Sequence, residues 1–480
     1  MKRSNIKYFV LLPLVIAVTV ALWCVPSSFF GSLGNVLTAT QQRTIAIFAF
    51  AALMWVFEIV PNWVTSLMVI VGSLLTISDK SLRFAMQTGD QSIFMSSNEL
   101  MRAFADPVVM LFLGGFVLAI VASKYGMDIK MARALLKPFG RKPRAVLLGF
   151  LITIAVFSMF MSNTATAAMF LTFLAPVLAG LPSGEKGKAG LALSIPVAAN
   201  IGGIGTPIGT PPNATAVGIL ANNGLAISFS QWAFRMIPFV VIMILIAWVV
   251  LQLFFPFSTK EICIEIPKST RRTTWRDYVA WSTFVITVLL WMTEQLHGLS
   301  ANIVALIPLV VYTATGVFTT EDIKEINWSV LWLVAGGFAL GYALNDTGLA
   351  KALVNSIDFN SMSVVAVFVV AGLICYFLSN FISNSATAAL LIPIMVAMGR
   401  GLLASPNAAA FTAFGGQQAL SVFVALCASL AMCLPISTPP NALASSTGLV
   451  QTRDMARIGL LLGVIGLVLG FFWVTKVVPF

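Results

Sequence analysis

Charged side chains are scarce in this sequence, and their scarcity excludes a soluble globular protein. Of 480 residues, 9% are charged and 59% are hydrophobic, and the mean hydropathy is +0.96. Soluble domains carry roughly 25% charged residues. Histidine occurs once and no cysteines have metal-ligand spacing, which argues against a metal-dependent enzyme. We expect buried, free thiols at the five cysteines, most of which lie in apolar segments: Cys24, Cys263, Cys375, Cys427 and Cys433.

Apolar runs of membrane-spanning length take the place of the missing charge. They predict about eleven transmembrane helices, at residues 8–24, 43–60, 63–77, 107–123, 190–220, 234–256, 279–296, 301–316, 327–345, 418–448 and 456–478. Two further apolar stretches, about 145–180 and 363–398, carry a polar Ser-Asn phrase at their middle. This pattern predicts re-entrant hairpins, which turn back within the membrane. The predicted fold class is therefore an all-α polytopic membrane protein.

The net charge of +11 follows the membrane topology and does not indicate a nucleic-acid partner. Lys and Arg cluster before the first span and in the loops near 124–144, 186–188, 260–276 and 453–457. With eleven crossings, all these clusters fall on the side of the N-terminus. The positive-inside rule then predicts a cytoplasmic N-terminus and an external C-terminus in the inner (plasma) membrane. We interpret the first apolar segment as a retained helix, because no convincing cleavage pattern follows it.

Two polar phrases each occur twice, in the same order, within this apolar chain. The first runs from Met161 to Ala168 (MSNTATAA) and returns as ISNSATAA from Ile382 to Ala389. Each copy is followed by a second phrase, PIGTPPNA at 207–214 or PISTPPNA at 435–442. Matching helix breaks in two halves of a membrane protein point to the binding site of a transporter.

Two more landmarks precede these phrases in each half. A Trp-x-x-Glu segment occurs at 55–58 and 291–294, and a Gly-Gly-Phe segment, which we expect to serve close helix packing, ends at Phe116 and Phe338. Each half then holds five predicted crossings and one hairpin, and an odd number of crossings inverts the second half. We predict an N-terminal helix and loop (1–42), a first repeat (43–256), a cytoplasmic linker (257–278) and an inverted second repeat (279–480). The two hairpin tips would meet near the midplane.

The chemistry of the phrases suits an anion held together with cations. Backbone that is not helical within a bilayer must line a cavity, where protein or water satisfies it. Ser, Asn and Thr cap helix starts, and exposed helix starts favour anions. Carbonyl and side-chain oxygens at the same turns suit a hard cation such as sodium. The phrases contain no Lys, Arg, His or acid pair, so neither an arginine clamp nor a carboxylate proton relay is expected.

Three ionisable residues near span ends require separate interpretation. Glu58 and Glu294 lie close to the membrane interior, which makes each a functional candidate. Both are near predicted helix ends, however, so a structural cap or ion pair is the preferred interpretation. His297 follows a span, and we expect it at the membrane interface.

The duplicated Ser-Asn phrases facing Thr-Pro-Pro-Asn breaks resemble the divalent anion/sodium symporter (DASS, SLC13) family, in particular its bacterial di- and tricarboxylate carriers. The resemblance covers nearly the whole chain. It implies an elevator-type homodimer, with a scaffold domain and a transport domain made of hairpins and broken helices. It implies one sodium site at Ser158, Ser162, Asn163 and the backbone of Gly209. It implies a second at Ser379, the backbone of Ile382, Asn384 and the backbone of Ser437.

The same resemblance assigns the substrate carboxylates to both hairpin tips, with the Thr-Pro pairs closing the pocket. The implied substrate-binding residues are Ser162, Asn163, Thr164, Thr210, Pro211, Ser383, Asn384, Ser385, Thr438 and Pro439. The chain departs from the family pattern at Ser385, where threonine is customary, and at Ser379 and Ser437, where Thr and Ala are more usual. The first change removes a methyl group near the substrate, and the other two weaken the prediction of sodium coupling.

The leading prediction is a secondary transporter of C4 and C5 dicarboxylates (succinate, malate, fumarate or 2-oxoglutarate) by sodium symport. The alternative is a sodium-independent dicarboxylate or citrate exchanger, and the motifs leave tricarboxylate and sulfate substrates open. A channel would need a continuous pore, which paired inverted hairpins do not suggest. An arsenite or sodium–proton carrier would lack the four combined phrases. We expect sodium ions as the coupling ions, a lipid bilayer around the protein, and no cofactor.

Overall fold

The computed structural model describes residues 7–25, 37–88, 90–182, 184–262, 273–356 and 362–478. Within these ranges the chain is helical and forms no strand beyond an isolated bridge between Ser78 and Met95. The predicted all-α class is confirmed. Lys2, Arg3, Cys263 and residues 264–272 of the predicted linker lie outside the described residues.

The described part of the chain has 24 α-helices, twelve before the linker and twelve after it. Helices α1 to α12 are Leu12–Cys24, Ala39–Phe57, Asn62–Thr76, Arg83–Met86, Ser97–Arg102, Pro107–Lys124, Met127–Leu136, Pro143–Ser158, Asn163–Ala179, Gly187–Gly203, Pro211–Asn222 and Phe229–Phe254. Helices α13 to α24 are Trp275–Met292, Glu294–His297, Ala301–Val304, Leu306–Ala314, Trp328–Asp346, Leu349–Ser356, Val364–Phe381, Asn384–Leu403, Ala408–Ala413, Gly416–Leu430, Pro439–Ser446 and Thr452–Phe472.

Several predicted spans are built from two shorter helices. By length and composition, six helical segments of the described chain are long and apolar enough to cross a membrane alone, and six shorter apolar helices accompany them. The spans predicted at 190–220 and 418–448 are split into α10 with α11 and α22 with α23, at the Thr-Pro-Pro turns as expected. The span predicted at 301–316 is also split, at Ala305, which the sequence did not indicate.

One amphipathic helix was missed in the basic loop between 124 and 144. Helix α7 buries Met127, Ala132 and Leu136 on one face while its cations point away from the core. The apolar residues of this loop have helical spacing, which its many charged residues obscured in the sequence. The four cysteines that the structure describes are free, as expected. Of these, only Cys375 and Cys427 are buried, Cys433 is half-buried, and Cys24 is exposed at the end of α1.

The two halves pack on each other through their Gly-Gly-Phe segments. A Cβ atom at Gly114 of α6 would lie 2.2 Å from the carbonyl oxygen of Ala305, between α15 and α16. A Cβ atom at Gly336 of α17 would lie 2.3 Å from the Cβ atom of Ser66 in α3. Since only glycine permits such close approach, the predicted packing role of these segments is confirmed. Each half supplies the glycine for one contact and its neighbour for the other.

The Trp-x-x-Glu segments end helices and fix the turns that follow. The indole nitrogens of Trp55 and Trp291 donate to the carbonyl oxygens of Asn62 and Ala301, at 3.2 and 3.0 Å. Both tryptophans are fully buried. The matching bonds place these turns in equivalent positions of the two halves.

The acids of these segments have different neighbours. Glu294 accepts a hydrogen bond from the backbone nitrogen of Phe229 at 3.3 Å, at the start of α12. The predicted capping role of Glu294 is thus confirmed. Glu58 ends α2 with φ of 46°, in the left-handed region.

His297, the single histidine of the sequence, bonds to the backbone near the end of α13. Its ring nitrogens lie 2.9 Å from the carbonyl oxygen of Leu290 and 3.0 Å from the backbone nitrogen of Leu299.

The Ser-Asn phrases form the tips of two helical hairpins. Helices α8 and α9 pack against each other and are joined at residues 159–162. Helices α19 and α20 pack in the same way and are joined at residues 382–383. The predicted hairpins at 145–180 and 363–398 therefore occur within a few residues of their expected bounds.

A buried carboxylate joins three helices that lie outside the two hairpins. Asp106, which is 5% exposed, caps α6 by accepting from the backbone nitrogen of Val108 at 2.8 Å. Its second oxygen accepts from Tyr342 of α17 at 2.9 Å and from Asn222 of α11 at 3.2 Å. One carboxylate thus holds three helices in register, and we call this group the Asp106 cluster.

We expect Tyr342→Phe to lower the stability of the protein by about 1.5–3 kcal/mol, because it removes a hydrogen bond to a charged group in a buried position. Thermal unfolding of the purified protein in detergent measures the effect. Tyr278→Phe is the matched control, because Tyr278 is 71% exposed. Equal unfolding temperatures for the two variants would show that the Asp106 cluster contributes nothing.

Candidate functional site

A central cavity of about 620 Å³ lies between the hairpin tips and the broken helices. All ten residues predicted to bind substrate line it: Ser162, Asn163, Thr164, Thr210, Pro211, Ser383, Asn384, Ser385, Thr438 and Pro439. The residues predicted to bind sodium divide into two groups. Ser162, Asn163, Gly209, Asn384 and Ser437 also line the cavity. Ser158, Ser379 and Ile382 are buried behind its wall.

Four helices begin at this cavity. Their first residues are Asn163 of α9, Pro211 of α11, Asn384 of α20 and Pro439 of α23. The first N–H groups of a helix have no partner within the helix, and the helix dipole adds partial positive charge there. Ser162 satisfies one such group by accepting from Ala165 at 3.1 Å. The other free N–H donors belong to the hairpin helices α9 and α20, which makes the cavity suitable for an anion. The proline pairs that begin α11 and α23 have no N–H groups, so these two helices contribute only their dipoles.

The asparagine of each Thr-Pro-Pro-Asn phrase satisfies the carbonyls that the helix break sets free. The side-chain nitrogen of Asn213 donates to the carbonyl oxygens of Gly203, Ile204 and Thr206, at 3.1, 3.2 and 2.8 Å. This interaction holds the non-helical segment 204–210 against the start of α11. The first break is therefore closed by the side chain that follows it.

The second break repeats this arrangement. The side-chain nitrogen of Asn441 donates to the carbonyl oxygens of Met432 and Leu434, at 2.8 and 3.0 Å. Asn213 and Asn441 are nearly fully buried. Their role is to stabilise the two breaks. The sequence indicated a role for each phrase as a whole but not this role for its asparagine.

Four oxygen atoms cluster behind the first tip. The hydroxyl of Ser158 donates to the carbonyl oxygen of Ala199 at 2.7 Å and lies 2.5 Å from the Asn163 amide. The Asn163 amide also lies 3.0 Å from the carbonyl oxygen of Gly209 and 3.2 Å from that of Ala199. The amide can present its oxygen to a cation at this place, or turn and donate its nitrogen to the surrounding oxygens. Hard cations prefer such neutral oxygen donors.

The second tip has buried oxygen atoms without hydrogen-bond partners. The hydroxyl of Ser379 and Oδ1 of Asn384 have none among the described residues. Ser437 donates its hydroxyl to the carbonyl oxygen of Asn380 at 2.9 Å, and Oδ1 of Asn380 accepts from the backbone nitrogen of Cys433 at 2.9 Å. Since buried oxygens without partners are costly, the second tip also suits a cation.

The residues that line the cavity fall into two sets. The hairpin tips and the breaks supply the first set, which carries the Ser, Asn and Thr side chains of the four phrases. The second set combines the apolar side chains of Trp63, Phe112, Phe116, Val330 and Leu333 with the polar side chains of Glu58, Asn62, Asn327 and Ser329. Among the lining residues that the structure describes, there is no Lys, Arg or His.

Four residues at or near the cavity were missed by the sequence analysis or given another role. Glu58 is a lining residue as well as a helix end, so its predicted capping role is incomplete. Asn200 lines the cavity from α10, and Asn380 lies behind the second tip. Gly203 leaves room for the first oxygen cluster: a Cβ there would lie 2.7 Å from Asn163 Oδ1 and 2.9 Å from the Gly209 carbonyl oxygen. A polar residue within an otherwise apolar run was the signal for Asn200 and Asn380.

The sequence profile of the citrate transporter family matches residues 52–416, which is more than half of the chain. The chain belongs to the citrate transporter family. This confirms the resemblance on which the sequence analysis relied. The family and its curated relatives are membrane transporters, so the chain is a transporter and not an enzyme.

This citrate transporter family member has both bacterial and fungal relatives. It is 31% identical over 447 residues to an uncharacterized transporter of Haemophilus influenzae, with 88% of each chain covered. It is 26% identical over 472 residues to the sodium-dependent dicarboxylate transporter SdcS of Staphylococcus aureus, covering 91% of this chain and 85% of SdcS. An uncharacterized transporter of Schizosaccharomyces pombe is 30% identical over 411 residues, but the chain spans only 45% of that protein's length.

A solved structure supports the fold. The crystal structure of the Alcanivorax borkumensis YdaH transporter, described as having an unusual topology, matches with a TM-score of 0.51. The match covers 78% of this chain and 86% of that chain at 16% sequence identity. At this identity the similarity concerns the architecture alone.

We expect Gly203→Ala to destabilise this family member by about 1–3 kcal/mol, because its new methyl group would overpack the first oxygen cluster. Gly72→Ala is the matched control: Gly72 also lies within a helix, and a Cβ there meets nothing within 4 Å. The Gly72→Ala variant should be as stable as the wild type, or more stable by up to about 1 kcal/mol. Thermal unfolding in detergent distinguishes the two. If Gly203→Ala unfolds at the same temperature as the wild type, the first oxygen cluster can accommodate a methyl group and the prediction is wrong.

Proposed function

We propose that this chain is a secondary active transporter that carries C4 and C5 dicarboxylates, such as succinate, malate, fumarate and 2-oxoglutarate, together with sodium. The observation that carries the proposal is the central cavity, in which two Ser-Asn tips and four helix starts face one volume of about 620 Å³. This volume lies within the range of small-molecule sites. Helix starts contributed by both halves suit a ligand with two carboxylates.

Sodium coupling is supported by the charge of the cavity. A dicarboxylate brings two negative charges to a wall whose described residues include no basic side chain. Glu58, which also lines the cavity, is an acidic residue and supplies no positive charge. Helix starts alone supply only partial charges, so cations must enter with the anion. The oxygens around Ser158, Asn163 and Gly209, and the partnerless oxygens of Ser379 and Asn384, provide the donors.

The amide orientation of Asn163 offers a mechanism for this coupling. Without an ion, a turned amide donates its nitrogen to the Gly209 and Ala199 carbonyl oxygens. When sodium binds, the amide oxygen turns to the ion and the nitrogen is freed towards the cavity. A substrate carboxylate then gains a donor that is available only after the ion has bound. Ion and substrate binding would therefore strengthen each other.

The two sets of lining residues support an elevator movement. The hairpins and broken helices carry the first set, and we propose that they move as one unit. Phe112, Phe116 and Leu333 of the second set make no directional bonds to a carboxylate, so the substrate can move past them. The cavity reaches Asn62 and Asn327, near the starts of α3 and α17. With the predicted cytoplasmic N-terminus, this side is the cytoplasm and the conformation is inward-facing.

The proposed oligomeric state and membrane location are based on the resemblance to the family. We propose a homodimer in the inner membrane, with scaffold helices near the ends of each repeat at the interface. The repeat bounds 43–256 and 279–480 remain our proposal for the two inverted units. A sodium-independent dicarboxylate or citrate exchanger is the second candidate, because Ser437 already donates its hydroxyl to Asn380 in the second ion site.

Flux of labelled succinate into proteoliposomes tests the function. We expect an inward sodium gradient to drive accumulation without internal dicarboxylate, because sodium supplies the missing positive charge. Replacement of sodium by potassium is the control. Uptake that ignores sodium but requires internal anion would establish exchange and exclude symport. Absence of flux for every dicarboxylate, with citrate, phosphate or sulfate transported instead, would overturn the substrate class.

We expect Asn163→Ala and Asn384→Ala each to reduce succinate uptake by about 10- to 150-fold, because each removes from the shared cavity an amide that would bond to the charged substrate or ligate the ion. Asn355→Ala is the matched control, since Asn355 is exposed on α18. Elution on size exclusion chromatography should be unchanged in all three variants. Near-normal uptake in both tip variants would refute the site.

A further inference from the structure

Asn200 lies between the two candidate ion sites. It is on α10 and is only 2% exposed although it lines the cavity. The residue before it, Ala199, belongs to the first oxygen cluster through its carbonyl oxygen, which accepts from Ser158 at 2.7 Å. Any shift of α10 at this point therefore alters the first cluster.

The side chain of Asn200 reaches the break of the other half. Its nitrogen donates to Oγ1 of Thr438 at 3.1 Å and to Oδ1 of Asn441 at 3.2 Å. Thr438 directly follows Ser437, which belongs to the second predicted ion site, and Asn441 holds the carbonyls of the second break. Asn200 thus bonds to the same turn that shapes the second site.

The hydrogen bond from the first break to the second half is weaker. Thr210 of the first break faces Ser429 of α22, with 3.5 Å between the two hydroxyl oxygens. That distance is at the limit of a hydrogen bond, whereas both Asn200 bonds are within the normal range. Asn200 is therefore the stronger direct polar link between the first oxygen cluster and the second break.

We propose that Asn200 is a positioning residue that couples the two ion sites, so that an ion at one site increases the affinity of the other. The proposal rests on the sodium-coupled function proposed above. An ion in the first cluster fixes Ala199 and with it the backbone of Asn200. The bonds of Asn200 then hold Thr438 and Asn441 in the arrangement that the second site requires. Two sites linked by one rigid element bind cooperatively.

Two variants of Asn200 test the coupling. Asn200→Ala removes both bonds. Asn200→Leu keeps the approximate size of the side chain, has no N–H group to donate to Oδ1 of Asn441 and adds no charge beside the ion sites, and it serves if the alanine variant does not fold. The exposed Asn355→Ala is again the control. Each protein is titrated with sodium alone, following the rise in unfolding temperature, and with sodium during succinate uptake.

We expect wild type and Asn355→Ala to respond to sodium with a Hill coefficient above one. In both Asn200 variants the coefficient should fall towards one, and the half-saturating sodium concentration should rise about tenfold, within the usual range for coupled sites. The unfolding temperature should lose its cooperative dependence on sodium to the same extent as uptake does, although no succinate is present in that titration. A loss of cooperativity without substrate distinguishes the coupling of the two ion sites from damage to the substrate site, which would affect uptake alone.

The possible failures are distinguishable. A wild type whose stability and uptake both ignore sodium refutes sodium symport, and the coupling falls with it. A wild type that responds to sodium with a Hill coefficient of one refutes the coupling and leaves symport standing. Variants that keep the wild-type Hill coefficient in both titrations refute the role of Asn200 alone.

Discussion

The structure depends on satisfying main-chain carbonyls where two helices stop inside an apolar chain. Within a bilayer such carbonyls have no water to bond to, so an unsatisfied break would be too costly to persist. Asn213 and Asn441 solve this problem by donating to the carbonyls seven to ten residues before them. Because the proline pair starts the next helix without needing N–H partners, each phrase contains both the break and its repair. Without this repair there would be no helix starts in the interior and no anion site.

The absence of basic side chains from the described lining of the cavity has a consequence for movement. A lysine or arginine would bind a dicarboxylate strongly, but it would leave an uncompensated charge buried whenever the site was empty. Helix starts and amides avoid this penalty because they can be satisfied by one another, as the Asn163 amide and the Gly209 carbonyl oxygen show. A site of this kind is stable both empty and loaded, which is what a carrier needs when it returns.

The sequence predicted the parts of the fold and site that depend on local chemistry. The hairpins, the broken spans and all ten lining residues of the tips and turns follow from helix-breaking residues within apolar runs. Contacts between distant segments could not be predicted in this way. Asn200 acts through Thr438 and Asn441, Asp106 through Asn222 and Tyr342, and Gly203 through the space it leaves for Asn163. Nothing in the sequence around Asn200 or Asp106 specifies these partners, since they are set by how the two halves interlock.

The two halves share an architecture but not the same chemistry, and the differences follow from packing. Gly209 cannot carry a side chain, because a Cβ there would lie 2.3 Å from the carbonyl oxygen of Gly203. Its counterpart Ser437 can, and its hydroxyl engages Asn380. The first oxygen cluster is therefore built from bare backbone and two side chains, while the second includes a hydroxyl that is already in use. Two such sites cannot have equal affinity for the same ion, so ions entering this cavity would fill the two sites in a preferred order.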